Sequence, residues 1–74
     1  MRYTIRLYTP GLGWAWYYYF EHNEEGTPKR VQTTLKPQTF LSSLEIAYSV
    51  RRKIMKVCGE DNVLVKVYMR ELAQ

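Results

Sequence analysis

The sequence predicts an α+β fold in which one helix packs on one face of a four-stranded, mostly antiparallel sheet. Three observations support this fold. One stretch, residues 42–59, has the apolar periodicity of a helix. Four other segments alternate apolar with polar residues, as half-buried strands do. Short turns join the first three of these strands, so the chain reads β-β-β-α-β in a single domain over residues 1–74.

The predicted helix covers about residues 43–58. Ser42 and Glu45 have the spacing of a capping box, and Gly59 suits the left-handed position after the last turn. At about 100° per residue, the apolar side carries Leu44, Ala47, Val50, Ile54, Met55 and Cys58. Arg51 falls within that side. Either its stem packs while its guanidinium reaches solvent, or the guanidinium is held by a carboxylate or aimed at a partner's phosphate.

The four predicted strands cover residues 2–9, 14–22, 29–36 and 63–70. Large aromatic side chains on both faces of the second strand favour a central position for it. We expect the sheet order 3-2-1-4, with a right-handed crossover that brings the last strand parallel to the first. The core beneath the helix is predicted to contain Tyr3, Ile5, Leu7, Val31, Leu35, Val63, Val65 and Val67.

Length, charge and cysteine content restrict the class of protein. A chain of 74 residues can bury one small core. Its single cysteine excludes an internal disulfide, and no Cys/His cluster suggests a metal or another cofactor. The unpaired thiol favours a reducing, cytoplasmic setting, and we expect neither a signal peptide nor a membrane segment. The net charge of +4 favours acidic partners, nucleic acid included.

Catalysis is not expected from this sequence. A catalytic site needs cooperating groups in a cleft, and the chain has one His, one Cys and one Asp. His22 lies beside Glu21 at a predicted strand end, where a solvated turn residue is typical. Glu24 and Glu25 occupy the following turn, where they favour solubility over an acid–base role. We therefore expect a non-enzymatic protein with no small-molecule substrate.

The sheet face opposite the helix is predicted to be the binding surface, because no second helix is present to cover it. The predicted contact set on this face is Arg6, Tyr17, Tyr19, Arg30, Lys66, Tyr68 and Arg70. A flipped register of the second strand would expose Trp14, Trp16 and Tyr18 instead. The second choice of surface is a basic patch on the helix, formed by Arg52, Lys53 and Lys56. The sheet face is preferred because it combines rings with cations, whereas charge alone is typical of a solvated face.

Rings among cations on a solvent-facing sheet are compatible with three interpretations. Nucleic acid, alone or in a nucleoprotein complex, would use the rings for base stacking and the cations for phosphates. In a protein–protein interface the same residue types would act as hot spots, either on an inhibitor that contacts another protein or between the two copies of a homodimer. The third interpretation is a solvated face with cation–π contacts. The signatures of RNA-recognition modules, KH domains and zinc fingers are absent.

The layout resembles two groups of known proteins. A three-stranded meander followed by a helix is similar to the DNA-binding domains of plant AP2 factors and the arm-binding domains of phage integrases. The Trp-rich start of the second strand, at Trp14 and Trp16, is similar to AP2 domains, although the spacing between sheet and helix differs and a fourth strand follows. The size and dense aromatics also resemble small proteins of phages and mobile elements, including anti-CRISPR inhibitors. That resemblance is one of layout without a shared motif, and it implies inhibition by protein–protein contact.

Overall fold

A computed structural model describes residues 1–70 as a four-stranded sheet with one α-helix packed on it. The elements in chain order are β1 (Arg2–Thr9), β2 (Gly13–His22), β3 (Pro28–Thr34), α1 (Leu44–Cys58), a 3₁₀ turn (Glu60–Asn62) and β4 (Leu64–Arg70). The sheet order is β3-β2-β1-β4, and each neighbouring pair is antiparallel. The predicted fold class and strand order are confirmed.

The start of α1 differs by one residue from the capping-box prediction. Ser43, not Ser42, is the N-cap, and its hydroxyl accepts a hydrogen bond from the Ile46 backbone N–H at 3.1 Å. Ser43 can do this because its backbone is extended immediately before the first helical residue. Gly59 follows the last turn with a φ of 89°, a value that favours glycine. No helix within residues 1–70 is both long and apolar enough to cross a membrane.

The direction of β4 contradicts the prediction of a parallel last strand. β4 runs antiparallel to β1, and Arg70 near its end lies opposite Arg2 at the start of β1. The cause is the link over residues 35–43, which carries the chain back along the sheet before α1 begins. Within this link, Leu41 exchanges two backbone hydrogen bonds with Tyr3, at 2.8 and 2.9 Å. α1 therefore starts near the beginning of β1, and β4 starts near its end.

The core lies between α1 and the sheet. Its buried cluster consists of Ile5, Leu7, Tyr17, Ile54 and Val63. Half-buried residues pack against it, among them Val31 and Val65. Three predicted core residues are not part of this core. Tyr3 is half-buried and belongs neither to the cluster nor to the residues packed against it. Leu35 is 92% exposed because β3 ends at Thr34, and Leu44 is 45% exposed because it lies at the first position of α1, on the flank of the apolar side.

The loop between β1 and β2 decides which side chains of β2 face α1. Thr9 pairs with Gly13 across a three-residue loop, and Gly13 has a positive φ of 76°, as such loops require. An odd loop length places Trp16 opposite Arg6, on the face away from the buried Ile5. The flipped register, the second of the two predicted alternatives, is therefore the observed one at this end of β2.

A β-bulge at Tyr18 changes the alternation further along β2. The register with β3 steps from Tyr17 directly to Tyr19, so that Tyr18 is the extra residue. Tyr17 and Phe20 consequently both face the core, with ring centroids 5.2 Å apart. Tyr19 lies opposite Gln32, and both side chains face away from α1. The bulge thus moves Phe20 into the core and Tyr19 onto the face away from α1.

Burial of Tyr17 makes stability depend on pH. Desolvation raises the pKa of its phenol, so the folded state favours the neutral form. The pKa of Tyr17 in the folded state lies above the unfolded value of about 10. The stability that comes from burying the neutral phenol is therefore fully present below about pH 10, and it is lost as the pH rises through the folded pKa. We expect Tyr17→Phe to reduce the loss of unfolding free energy between about pH 8 and pH 11 in urea titrations. Tyr19→Phe, at an exposed position, is the control, and an equal effect of both changes would contradict the assignment.

Candidate functional site

The sheet face away from α1 forms the candidate site. We call it the open face. It carries Arg2, Thr4, Arg6 and Tyr8 from β1, Trp14, Trp16, Tyr19 and Glu21 from β2, Arg30, Gln32 and Thr34 from β3, and Leu64, Lys66, Tyr68 and Arg70 from β4. α1 is the one α-helix within residues 1–70, and it packs on the other face.

Indole rings and cations alternate on the β4 side of the open face. We define the aromatic–cation cluster as Arg6, Tyr8, Trp14, Trp16, Lys66, Tyr68 and Arg70. The Arg6 guanidinium carbon lies 5.1 Å from the ring centroid of Trp14 and 5.6 Å from that of Trp16. The Lys66 Nζ lies 5.4 Å from the Trp14 ring, and the Arg70 guanidinium carbon lies 5.5 Å from the Trp16 ring. Each indole therefore contacts two cations at cation–π distances.

Two tyrosines complete the cluster. The Tyr8 ring lies 5.4 Å from the Trp14 ring at an interplanar angle of 53°. The Tyr68 ring lies 5.6 Å from the Trp16 ring at 56°. Tilted pairs at these distances stabilise one another beyond simple burial. Rings that a sheet holds in this way lose little side-chain entropy when a ligand binds to them.

Cations of β1 and β4 lie directly opposite one another in the sheet register. Arg2 is opposite Arg70, and Arg6 is opposite Lys66. Like charges at directly opposite positions destabilise an antiparallel pair. In the part of the chain that the structure describes, the one ion pair joins Arg30 to Glu21, on the far side of the sheet. The cluster therefore concentrates positive charge that residues 1–70 do not neutralise.

Two polar atoms are buried on the open face among the cluster. Thr4 is 1% exposed, and its hydroxyl has no hydrogen-bond partner among residues 1–70. The Arg6 Nε is likewise buried without a partner in that range. Thr4 lies opposite Tyr68, so its side chain is on the same face of the sheet as the rings of the cluster. An unpaired buried hydroxyl costs about 1–3 kcal/mol.

The buried hydroxyl leads to a prediction about stability. We expect Thr4→Val to raise the free energy of unfolding by about 1–2 kcal/mol, because valine has nearly the same shape and removes the unpaired group. Urea denaturation measures this difference. Thr33→Val, at an exposed position on β3, is the matched control and should change stability by less than about 0.5 kcal/mol. A destabilised Thr4→Val variant would show that the hydroxyl has a bonding partner, such as a water molecule.

The opposite edge of the open face has different chemistry. The Glu21 carboxylate lies 3.8 Å from the Arg30 guanidinium and accepts a hydrogen bond from the Gln32 amide at 2.9 Å. Tyr18 and Tyr19 form an exposed edge-to-face pair with ring centroids 4.9 Å apart. This edge offers rings to solvent, but its cation already has a carboxylate beside it.

The structure places the predicted contact residues in three locations. Four of the seven lie together in the aromatic–cation cluster, namely Arg6, Lys66, Tyr68 and Arg70. Arg30 and Tyr19 lie on the open face but at its other edge. Tyr17 is misassigned, because the loop length turns its side chain into the core. Trp14 and Trp16, which the sequence placed here only in the alternative register, occupy the centre of the cluster. An odd length for the β1–β2 loop was the signal that would have identified them.

The helix patch is exposed, but it is less suited than the aromatic–cation cluster to binding the bases or phosphates of a nucleic acid. Arg52, Lys53 and Lys56 all lie on the exposed side of α1. Arg52 shares a shallow depression with Tyr48 and Glu45. The three cations of the patch thus have one ring and one carboxylate beside them, whereas the cluster combines four rings with three cations.

Arg51 has a role that neither sequence alternative described. It is half-buried, and its Nε donates a hydrogen bond to the Val65 backbone carbonyl at 3.3 Å. Tyr3 gives its backbone groups to Leu41, so its partner on β4, Met69, directs its own backbone groups to the outer edge of the sheet. Because this direction alternates along the strand, Val65, four residues before Met69, does the same. Arg51 therefore covers one acceptor on an edge strand, which hinders pairing with another chain.

Metal binding and thiol chemistry find no support in the site. Among residues 1–70, no group of three His, Cys, Asp or Glu side chains could hold a metal ion. Cys58 is half-buried at the end of α1, and burial raises the pKa of its thiol, which disfavours the reactive thiolate.

In comparisons with known proteins, no family model, no curated protein and no solved structure matches this chain.

Proposed function

We propose that this protein is a non-enzymatic binding module that engages nucleic acid, free or within a nucleoprotein complex, through the aromatic–cation cluster. The observation that carries this proposal is the direct opposition of cations, Arg6 with Lys66 inside the cluster and Arg70 with Arg2, which lies beside it. Such pairs destabilise the free protein. A line of phosphates beside β1 and β4 would replace this repulsion with attraction, so the arrangement favours a polyanionic ligand.

The rings of the cluster supply a second kind of contact. Trp14, Trp16 and Tyr68 lie among the cations at distances of 5.1–5.6 Å. Proteins that bind single strands combine a basic surface for the backbone with aromatic side chains for the bases. A surface for a purely electrostatic ligand would not need indoles between its cations. The combination therefore favours nucleic acid over a simple anion.

Protein interfaces use the same residue types, and they define the competing function. Trp, Tyr and Arg are enriched at hot spots, so an inhibitor that contacts another protein, or a homodimer, could use the cluster as well. Such a partner would not need to be a polyanion. The expected reducing, cytoplasmic setting gives access to both kinds of partner.

The salt dependence of binding tests the proposal. If Arg2, Arg6, Lys66 and Arg70 make three to four phosphate contacts, the logarithm of the affinity for a single strand should fall with the logarithm of salt at a slope of about −2 to −3. This slope corresponds to about a 16- to 64-fold loss between about 50 and 200 mM salt. Fluorescence anisotropy of a labelled oligonucleotide measures it directly. No binding at the lowest salt would contradict the proposal.

A pull-down from cell extract separates nucleic acid from protein as the direct ligand. The immobilised protein is incubated with untreated extract and with nuclease-treated extract. We expect the captured material to be lost after nuclease treatment. Retention of one protein complex at high salt would instead support an inhibitor that acts by protein contact. Sedimentation at several concentrations detects the homodimer.

A further inference from the structure

We infer that the ligand is single-stranded and that one of its bases stacks on Trp14, displacing the Lys66 ammonium, which then pairs with the adjacent phosphate. This inference rests on the proposed function and deepens it. Trp14 is the more accessible of the two indoles, with 37% of its surface exposed, whereas Trp16 is half-buried beside Tyr68. Trp14 is therefore the ring that a base can reach without rearrangement of the sheet.

The cations on Trp14 differ in how easily they can move. Arg6 is half-buried, contacts both indoles and has a buried Nε. Lys66 is exposed, and its flexible stem carries the ammonium over the Trp14 ring at 5.4 Å. A base arriving at this ring therefore displaces Lys66 and leaves Arg6 in place.

The exchange is favourable because both groups find a stronger partner. Base stacking on an aromatic ring is stronger than an exposed cation–π contact. The displaced ammonium remains beside the incoming strand, where a phosphate offers a full negative charge in place of a ring quadrupole. Every base has a π face, so this site binds without marked sequence preference.

The shape of the surface disfavours a duplex. In double-stranded nucleic acid the faces of the bases are covered by stacking on their neighbours, and only the base edges are accessible in the grooves. The open face is a sheet surface, and α1 lies on the other side of it. A duplex could contact the cluster through phosphates or base edges, but neither contact places the face of a base on Trp14.

Three probes of equal length test the inference by anisotropy at low salt: an oligothymidylate of about 12 nucleotides, an abasic sugar–phosphate strand, and a duplex. We expect the oligothymidylate to bind about 5- to 100-fold more tightly than the abasic strand, and more tightly than the duplex. Trp14→Leu keeps an apolar side chain but removes the ring. It should lower the affinity for oligothymidylate towards that for the abasic strand, so that the preference between these two probes is lost. Trp14→Phe should restore part of the difference.

Lys66→Gln tests the exchange itself. This variant should bind the abasic strand more weakly, while its preference for oligothymidylate over the abasic strand is retained or increased, because the ring is no longer covered. Circular dichroism and thermal melts establish that each variant is folded. Equal binding of oligothymidylate and the abasic strand, tightest binding of the duplex, or an unchanged Trp14→Leu variant would overturn the inference while leaving nucleic-acid binding intact. Failure of all three probes to bind would overturn the proposed function as well.

Discussion

Replacing Ile54 with alanine is expected to lower the free energy of unfolding by about 2–5 kcal/mol. Ile54 is fully buried on α1 and belongs to the cluster that includes Ile5 and Leu7. A domain of this size has a total stability of only about 4–11 kcal/mol, so the expected loss is a large fraction of the total and should lower the denaturant midpoint strongly. Ile54→Val removes one methylene group and should lower stability by about 0.5–1.5 kcal/mol. Chemical denaturation measures the loss in free energy of unfolding for both variants, and the loss should be larger for Ile54→Ala than for Ile54→Val.

Leu44→Ala is the matched control on the same helix. Its side chain is 45% exposed, so truncation creates no closed cavity and should lower stability by less than about 1 kcal/mol. The sequence pattern alone assigns Leu44 to the core and predicts a loss like that of Ile54. A loss for Leu44→Ala that equals or exceeds the loss for Ile54→Ala would show that α1 packs through another side.

The double change Lys66→Glu with Arg70→Glu is expected to lower affinity for a single strand on the order of 100-fold while leaving the protein folded. Each new carboxylate lies opposite an arginine, Glu at 66 facing Arg6 and Glu at 70 facing Arg2. Two repulsive pairs become attractive, which offsets the lost cation–π contacts, so stability should stay within about 1 kcal/mol or rise. Loss of binding without loss of stability is typical of a functional surface.

The control for this variant is Arg52→Glu with Lys56→Glu on α1. In both variants the net charge falls from +4 to zero, because each of two substitutions removes one positive and adds one negative charge. Any effect of total charge is therefore equal, and the position of the charge is the remaining difference. We expect the helix variant to bind within a few-fold of the unsubstituted protein. A larger loss for the helix variant would place the binding surface on α1.

The order of the elements could be predicted because each local pattern agrees with the fold. Alternation identifies the strands, and the apolar side of residues 43–58 identifies the helix. The direction of β4 could not be predicted, because it depends on the nine residues between β3 and α1. At about 3.3 Å per residue, an extended link of that length spans a strand of the sheet. Leu41 holds the link against Tyr3 by backbone hydrogen bonds, which side-chain patterns do not reveal.

The composition of the open face could be predicted only in part. The residues from β1 and β4 follow simple alternation, and Arg6, Lys66 and Tyr68 lie where that alternation places them. β2 departs from it twice, through the three-residue loop before it and the bulge at Tyr18. With aromatic side chains on both faces of β2, hydrophobicity does not favour either register. Loop geometry decided between them.

The indole N–H resonances in a two-dimensional ¹H–¹⁵N spectrum test most directly whether the aromatic–cation cluster is the binding surface. The chain has two tryptophans, Trp14 and Trp16, and both lie in the cluster, so both report on this surface alone. On titration with oligothymidylate, both indole signals should shift, Trp14 more than Trp16, while the backbone amides of Arg52 and Lys56 remain unchanged. Unshifted indoles together with shifted helix amides would contradict the assignment of the site.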